Sequence, residues 1–180
     1  MDRGFSLIEV LVASTVMTMA VVALAQLSLL SARVNYGARS TTFATLLAGH
    51  KIEQLRALTW SVDSNGAPIS DTSTDTTVEP AQPSGGTGLA SSPAGTLTKK
   101  TSGYCDFLDA SGRTLGGGTT PPAAATFIRR WSIDPLPTAA SSTLVIQVSV
   151  TPVRNGEISG HVRRLPDEVR VVAVKTRKAG

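Results

Sequence analysis

The chain has 180 residues, 41% of them hydrophobic and 17% charged, with a formal net charge of +4. That length holds one ordinary domain, or a small domain with an attached segment. Four Phe, two Tyr and two Trp cannot build a large aromatic core, so the core must rest on Val, Leu, Ile and Ala. A single cysteine, Cys105, excludes both an intramolecular disulfide and a multi-cysteine zinc site, and reads as a small buried apolar side chain.

The charges are laid out in three parts. Val10–Ala32 carries none in 23 residues. Thr59–Thr98 has four acids and no Lys or Arg, and Lys99–Gly180 has twelve basic and six acidic residues. This layout excludes a uniform soluble globule. Signatures of catalysis are missing: His50 and His161 lie far apart, and neither sits in an HExxH or triad-like pattern. There is no P-loop and no GxGxxG, and Gly116-Gly117-Gly118, flanked by Thr and Pro, reads as a turn. The chain is therefore expected to be no enzyme and to need no cofactor or metal.

A helix over Val10–Ala32 would be about 34 Å long, enough to cross a bilayer core of about 30 Å. The stretch is too long for the apolar region of a secretory signal, roughly 7–15 residues. Its Ser14, Thr15, Thr18 and Ser28 can return hydrogen bonds to the backbone one turn earlier. Gln26 is harder to satisfy that way and points to a helix that packs on other helices. Arg3 precedes the span and Arg33 and Arg39 follow it, a count that by itself favours an outside amino terminus.

A more specific signal overrules that count. Glu9 opens the charge-free run directly after Phe5-Ser6-Leu7-Ile8. A carboxylate at that depth is costly, and an arbitrary anchor rarely carries one. Gly4-Phe5-Ser6-Leu7-Ile8-Glu9-Val10 resembles the prepilin cleavage and methylation motif of type IV pilins and type II secretion pseudopilins. The resemblance implies that a prepilin peptidase cuts after Gly4 on the cytoplasmic side and that the new amine of Phe5 is methylated. It also implies that Glu9 docks the subunit into a growing filament by pairing with a neighbour's terminal amine. An unpaired buried charge is costly, so such a pair would act as a register device. Gly4 fits a scissile site because a side chain there would obstruct access to the backbone. Further implied partners are other pilins or pseudopilins, an inner-membrane assembly platform and membrane lipid. The implied topology is a single pass through the inner membrane, amino terminus cytoplasmic and head periplasmic, followed by entry into a pilus or pseudopilus. Many major pilins carry a Pro near mid-helix with a Gly before it; Gln26 and Thr18 stand there in this chain. Many also close a carboxy-terminal disulfide loop, which one cysteine forbids. Both departures point to a minor subunit.

No strong breaker interrupts the chain up to Leu58; Gly37 and Gly49 each weigh roughly 1 kcal/mol against a helix, tolerable if they sit at contacts. Ala44, Leu47, Ala48, Ile52, Leu55 and Leu58 share one face at helical spacing, with Lys51 inside the stripe and expected to snorkel. Glu53, Arg56 and His50 face elsewhere. Leu47–Arg56 also resembles the "LA-x-x-K-hydrophobic-E-x-L-R" segment of minor pilins of the pilus-modification type and of one class of minor pseudopilin, although an ordinary amphipathic helix explains it equally well.

Thr59–Thr98 is rich in Thr, Ser, Pro and Gly and reads as a long surface loop with short ordered pieces near Trp60 and Val78. Its acids, Asp63, Asp71, Asp75 and Glu79, lack EF-hand spacing and read as solvated. Strands are expected at Tyr104–Leu108, Arg113–Leu115, Thr126–Ile133, Leu144–Val150 and Val169–Val174. Asp109-Ala110-Ser111-Gly112 makes a hairpin turn, and Asn155-Gly156 gives a second hairpin signal. Asp106 beside Asp109 invites a metal, but turn chemistry accounts for Asp109. Arg129, Arg130, Arg163, Arg164, Arg170, Lys175, Arg177 and Lys178 make the last third basic. Without interleaved aromatics this reads as solubility or docking on an acidic neighbour rather than nucleic-acid binding.

The expected fold is α+β: a long amino-terminal helix, its first half transmembrane, packed on a small antiparallel sheet of about four strands. The expected division is leader 1–4, transmembrane and filament-core helix 5–32, amphipathic helix half 33–58, surface loop 59–98, and β-rich head with basic tail 99–180. The leading reading is a minor pilin-like structural subunit acting at filament initiation or at the tip. Its nearest rival is a minor pseudopilin of a type II secretion system. A rival of another class is a membrane-anchored periplasmic binding or enzymatic domain.

Overall fold

The computed structural model describes residues 6–153 and 168–177. The chain divides into two compact units, Met1–Ser40 and Thr41–Gly180. Helix α1 (Leu7–Ala57, 51 residues) provides the regular structure of the first unit and opens the second. No proline occurs from Phe5 to Ala67, so nothing removes a backbone donor along its length.

In the first unit four hydroxyls are satisfied locally. The hydroxyls of Ser14, Thr15, Thr18 and Ser28 donate to the carbonyls of Leu11, Val12, Ser14 and Leu24 at 2.7–3.0 Å. The apolar side chains between them are bare, from Leu7 at 85% exposed to Val34 at 64%. This helix is long and apolar enough to cross a membrane.

The second unit is an α+β head. A two-stranded hairpin, β1 (Trp60–Val62) with β2 (Pro68–Ser70), precedes a five-stranded antiparallel sheet in the order β4-β3-β5-β6-β7. The strands are β3 (Cys105–Leu108), β4 (Thr114–Gly117), β5 (Phe127–Pro135), β6 (Thr143–Pro152) and β7 (Val169–Thr176). The small sheet thus has five strands rather than about four, because the short β4 adds to the edge of β3 through an irregular pairing while β3 pairs β5 in register. Trp131 stands opposite Val148, and Val148 opposite Val171. That register puts Leu144, Ile146, Val148 and Val150 on one face, where all four are buried together with Ala44, Leu47, Ala48, Ile52 and Leu55 of α1. Each Leu, Ile or Val side chain among them contributes roughly 1.5–3 kcal/mol of burial. Cys105, Phe107 and Ile128 form a smaller cluster of the opposite parity.

Three expectations are corrected. Lys51 does not snorkel: it is fully buried, because an anion awaits it inside. Arg129 and Arg130 are buried strand residues rather than part of a solvated basic surface. The condition set for Gly37 and Gly49, close packing at the glycine itself, is not met: a Cβ at either would find open space within 4 Å.

The segment after α1 is organised by polar bonds more than by apolar burial. The Asp71 carboxylate accepts from the backbone N–H of Ser73 and Thr74 and from the Thr74 hydroxyl. The Asp75 carboxylate takes the N–H and hydroxyl of Thr77. Desolvation pushes the Asp71 pKa up, but these bonds outweigh it and hold the group below its ordinary value. From this segment Leu89, at 3% exposure, is buried in the main core and Trp60 packs against it. The expected Asp109 turn is present: its carboxylate accepts from the hydroxyl and N–H of Ser111 and from the N–H of Arg113, while Gly112 takes φ +85°. The Asn155-Gly156 signal, Arg163, Arg164 and Lys178 lie outside the described residues.

Candidate functional site

The docking candidate, Glu9, sits in the first turn of α1, and its N–H bonds the carbonyl of Ser6 at 3.0 Å. Its side chain is exposed, as are those of Leu7 and Ile8 beside it. A carboxylate in the first helical turn faces the positive end of the backbone dipole. The processing candidates, Gly4 and Phe5, lie outside the described residues. Among the described residues, the helix around Glu9 presents exposed side chains. What it offers is one acid at the head of a continuous apolar surface, the kind of surface that soluble monomers rarely leave uncovered.

The polar chemistry of the head converges elsewhere, in the core. Arg129, on β5, donates from Nε to Asp106 Oδ1 at 2.9 Å and from Nη2 to Oδ2 at 2.7 Å. Its Nη1 reaches the carbonyl of Leu47 on α1 at 3.1 Å. Lys51 Nζ lies 3.1 Å from Asp106 Oδ2 and 3.8 Å from the centroid of the Trp131 ring. The same ammonium donates to Gln54 Oε1 and to the carbonyl of Thr76. Two cations share one carboxylate, and all three are buried. Burial pulls the Lys51 pKa from 10.5 down to about 8; attraction to Asp106 opposes the shift and repulsion from Arg129 adds to it.

All three side chains of this cluster are committed to one another and closed off from solvent, and together they tie α1 to β3 and β5. Among the described residues no group of three His, Cys, Asp or Glu side chains could hold a metal ion. Asp106, weighed from sequence as a metal ligand, is committed to Arg129 and Lys51.

A second polar knot fastens the β1–β2 hairpin. The Arg177 guanidinium stacks on the Trp60 ring, 3.6 Å from its centroid. It donates to the carbonyls of Ser141, Ser61 and Ile69 and to the Ser70 hydroxyl. Lys175 donates to the carbonyls of Arg56 and Leu58 at the end of α1. Basic residues expected to be solvated thus serve as internal donors.

Residues 1–25 match the family model of the prokaryotic N-terminal methylation motif. The amino terminus is thus similar to those of type IV pilins and pseudopilins, and the chain is pilin-like in that respect. No curated protein and no solved structure matches it. The motif is that of a structural family whose members are cleaved by a prepilin peptidase and associate with other pilins. Together with the apolar helix it marks a membrane-anchored pilin-like protein. The match ends within α1, so it speaks for the amino terminus and leaves the head to its own geometry.

Sequence reading of this pilin-like chain missed the Lys51–Asp106–Arg129 cluster. A signal was present. Lys51 lies in phase with Leu47 and Leu55, and Arg129 in phase with Phe127 and Trp131. Two cations on core-facing positions require a buried anion. Asp106, in phase with Tyr104 and Leu108, is that anion.

Proposed function

We propose that this chain is a minor pilin-like structural subunit of a type IV filament system, acting at initiation or at the tip. The observation that carries the reading is the methylation motif placed immediately ahead of a bare apolar helix. Prepilin peptidase cuts between Gly4 and Phe5 and methylates the Phe5 amine. The subunit waits in the inner membrane, amino terminus cytoplasmic and head periplasmic. The assembly platform then moves it into a filament, where the helix exchanges lipid for neighbouring helices. Glu9 serves as the docking group, matched against a neighbour's amine on entry. The absence of a proline in the helix and of a second cysteine supports a minor rather than a major subunit.

Intact-mass spectrometry of the mature protein tests this. The expected mass lacks Met1–Gly4 and carries one added methyl group. Retention of the four residues in a host with active prepilin peptidase would sink the reading and favour a plain membrane-anchored periplasmic domain. A minor pseudopilin of a type II secretion system shares the same motif and the same assembly physics. Deleting the gene separates the two systems: loss of pili or twitching supports the pilus, and loss of exoprotein secretion supports the pseudopilus.

A further inference from the structure

The two edges of the five-stranded sheet are built differently. β4 is four residues long, pairs β3 through a shifted register and carries Gly116 at φ +100°. A short, irregular edge of this kind resists further pairing. β7 is eight residues long and contains no proline or glycine. It runs opposite β6 without interruption, from Val150 opposite Val169 to Thr143 opposite Thr176. Among the described residues no strand pairs with its other side.

Parity gives the groups that this side presents. The N–H of Arg177 donates to the carbonyl of Ser142 at 2.7 Å, which extends the β6–β7 ladder by one pair. Bonding alternates residue by residue along an antiparallel ladder. Val169, Val171, Ala173 and Lys175 therefore bond β6, and the N–H and C=O groups of Arg170, Val172, Val174 and Thr176 point to the open edge. Val171 and Ala173 pack towards the core, so the side chains of this second set lie on the outer face. There Val172 and Val174 are 56% and 55% exposed. Lysine on an edge strand commonly wards off partners. Lys175 instead turns in to the carbonyls of Arg56 and Leu58. A cleft of about 350 Å³ adjoins the edge, lined by residues 56–61 and 174–176. Its wall holds two cations, Arg56 and Lys175, and among the described residues no acid. Arg177, next along, is held by a ring, carbonyls and a hydroxyl, all neutral.

We propose that the open edge of β7 receives an extended strand from a partner protein, one in which acidic and apolar residues alternate. Added strands draw affinity from main-chain bonds and specificity from alternate side chains. Apolar residues of the incoming strand lie beside Val172 and Val174 on the outer face. Its acidic residues, on the other face, reach Lys175 and Arg56 at the cleft. A second copy of this chain fits poorly. Two β7 strands pairing edge to edge would bring Arg170, Lys175 and Arg177 of each together, and like charges across a ladder destabilise it. The edge lies wholly within the second unit, so strand addition does not depend on processing at Gly4.

The probe is a fluorescent peptide of alternating Val and Glu, matched to β7 in length, titrated with the full chain in detergent and followed by anisotropy. Saturable binding with a Kd below about 1 mM is expected. N-methylation of its Val amides and of its Glu amides should differ in effect by at least about tenfold, because only one set faces β7. Replacing every Glu by Lys should weaken binding at least about tenfold. On the protein, Val172→Pro removes an outward N–H and leaves the bonds to β6 in place. It should keep the native circular dichroism and lose at least about tenfold in affinity. If that variant fails to fold, Val172→Glu with Val174→Glu, at exposed positions, should produce the same loss. Absence of saturable binding overturns strand addition, and so does indifference to both N-methylation patterns or to the edge variants. Equal affinity for the Lys peptide overturns the acidic partner. A native chain that sediments as a dimer, and as a monomer after Val172→Pro, would give the edge to a second copy and overturn it as well.

Discussion

The Arg129 guanidinium holds both carboxylate oxygens of Asp106, at 2.9 and 2.7 Å, with neither partner open to solvent. Asp106→Asn would leave two buried cations facing each other without an anion. Removing one partner of a buried ionic group typically costs about 3–5 kcal/mol. Lys51→Met instead leaves a balanced pair and should lie within about 1 kcal/mol of native. Denaturant unfolding of the head, followed by Trp fluorescence, orders the two variants. Equal losses would show that the charge balance is irrelevant.

Lys51 also sets a pH dependence with a definite sign. Its pKa is about 8 in the fold and 10.5 in the unfolded chain. Between those values the unfolded chain holds protons that the folded chain has released, so stability rises with pH. It rises by on the order of 1 kcal/mol per pH unit at most. As pH falls through 8 that gain is lost. Burial raises the Tyr104 pKa, so its phenol acts in the opposite direction once the unfolded chain begins to ionise at about pH 10. The difference in unfolding midpoints between the native chain and Lys51→Met, taken between about pH 7.5 and 9.5, isolates Lys51, and the variant's stability should rise less steeply with pH. Identical slopes in both proteins would contradict the assignment.

Arg177 holds the β1–β2 hairpin through one stacked ring and three acceptors, and ties it to the carbonyl of Ser141 through a fourth. Arg177→Ala should destabilise the head by about 1–3 kcal/mol and shift Trp60 emission towards the red. Arg177→Lys should recover little, because an ammonium cannot stack flat and reach carbonyls on both sides. Full recovery by lysine would reduce the knot to a charge effect.

At the amino terminus, Gly4→Leu should block cleavage and leave the precursor in the membrane. Glu9→Ala should still be cut, yet enter filaments poorly. Immunoblots of sheared filament fractions, set beside intact masses, check both. Glu9→Ala incorporated at native levels would remove Glu9 from the docking role.

Gly49 lies inside α1 with open space where a Cβ would go. Gly49→Ala should therefore stabilise the head by roughly 0.5–1 kcal/mol through helix propensity. A loss in the same denaturation assay would mean the position needs glycine for a reason outside the chain.

The regular elements were legible because their signals are local. The alternation of Leu144, Ile146, Val148 and Val150 and the stripe from Ala44 to Leu55 announce their buried faces through spacing alone. The amino-terminal motif was legible for the same reason, being contiguous. The ionic cluster was not, since its bonds span 55 residues from Lys51 to Asp106 and 23 from Asp106 to Arg129. Composition also understated the Thr/Ser-rich segment. Thr76 and Thr96 are buried, and neighbouring Asp71 and Asp75 order the backbone through bonds that hydrophobicity does not register.

Lys175 closes α1 from a distance. Ala57-Leu58-Thr59-Trp60 contains neither glycine nor proline, so the helix has no local instruction to stop. Its last free carbonyls, on Arg56 and Leu58, are instead taken by an ammonium from β7. Where the helix ends is thus decided by a strand more than a hundred residues later. The end of the helix is thereby tied to the last strand of the sheet, and a single ammonium joins the first element of the chain to its last.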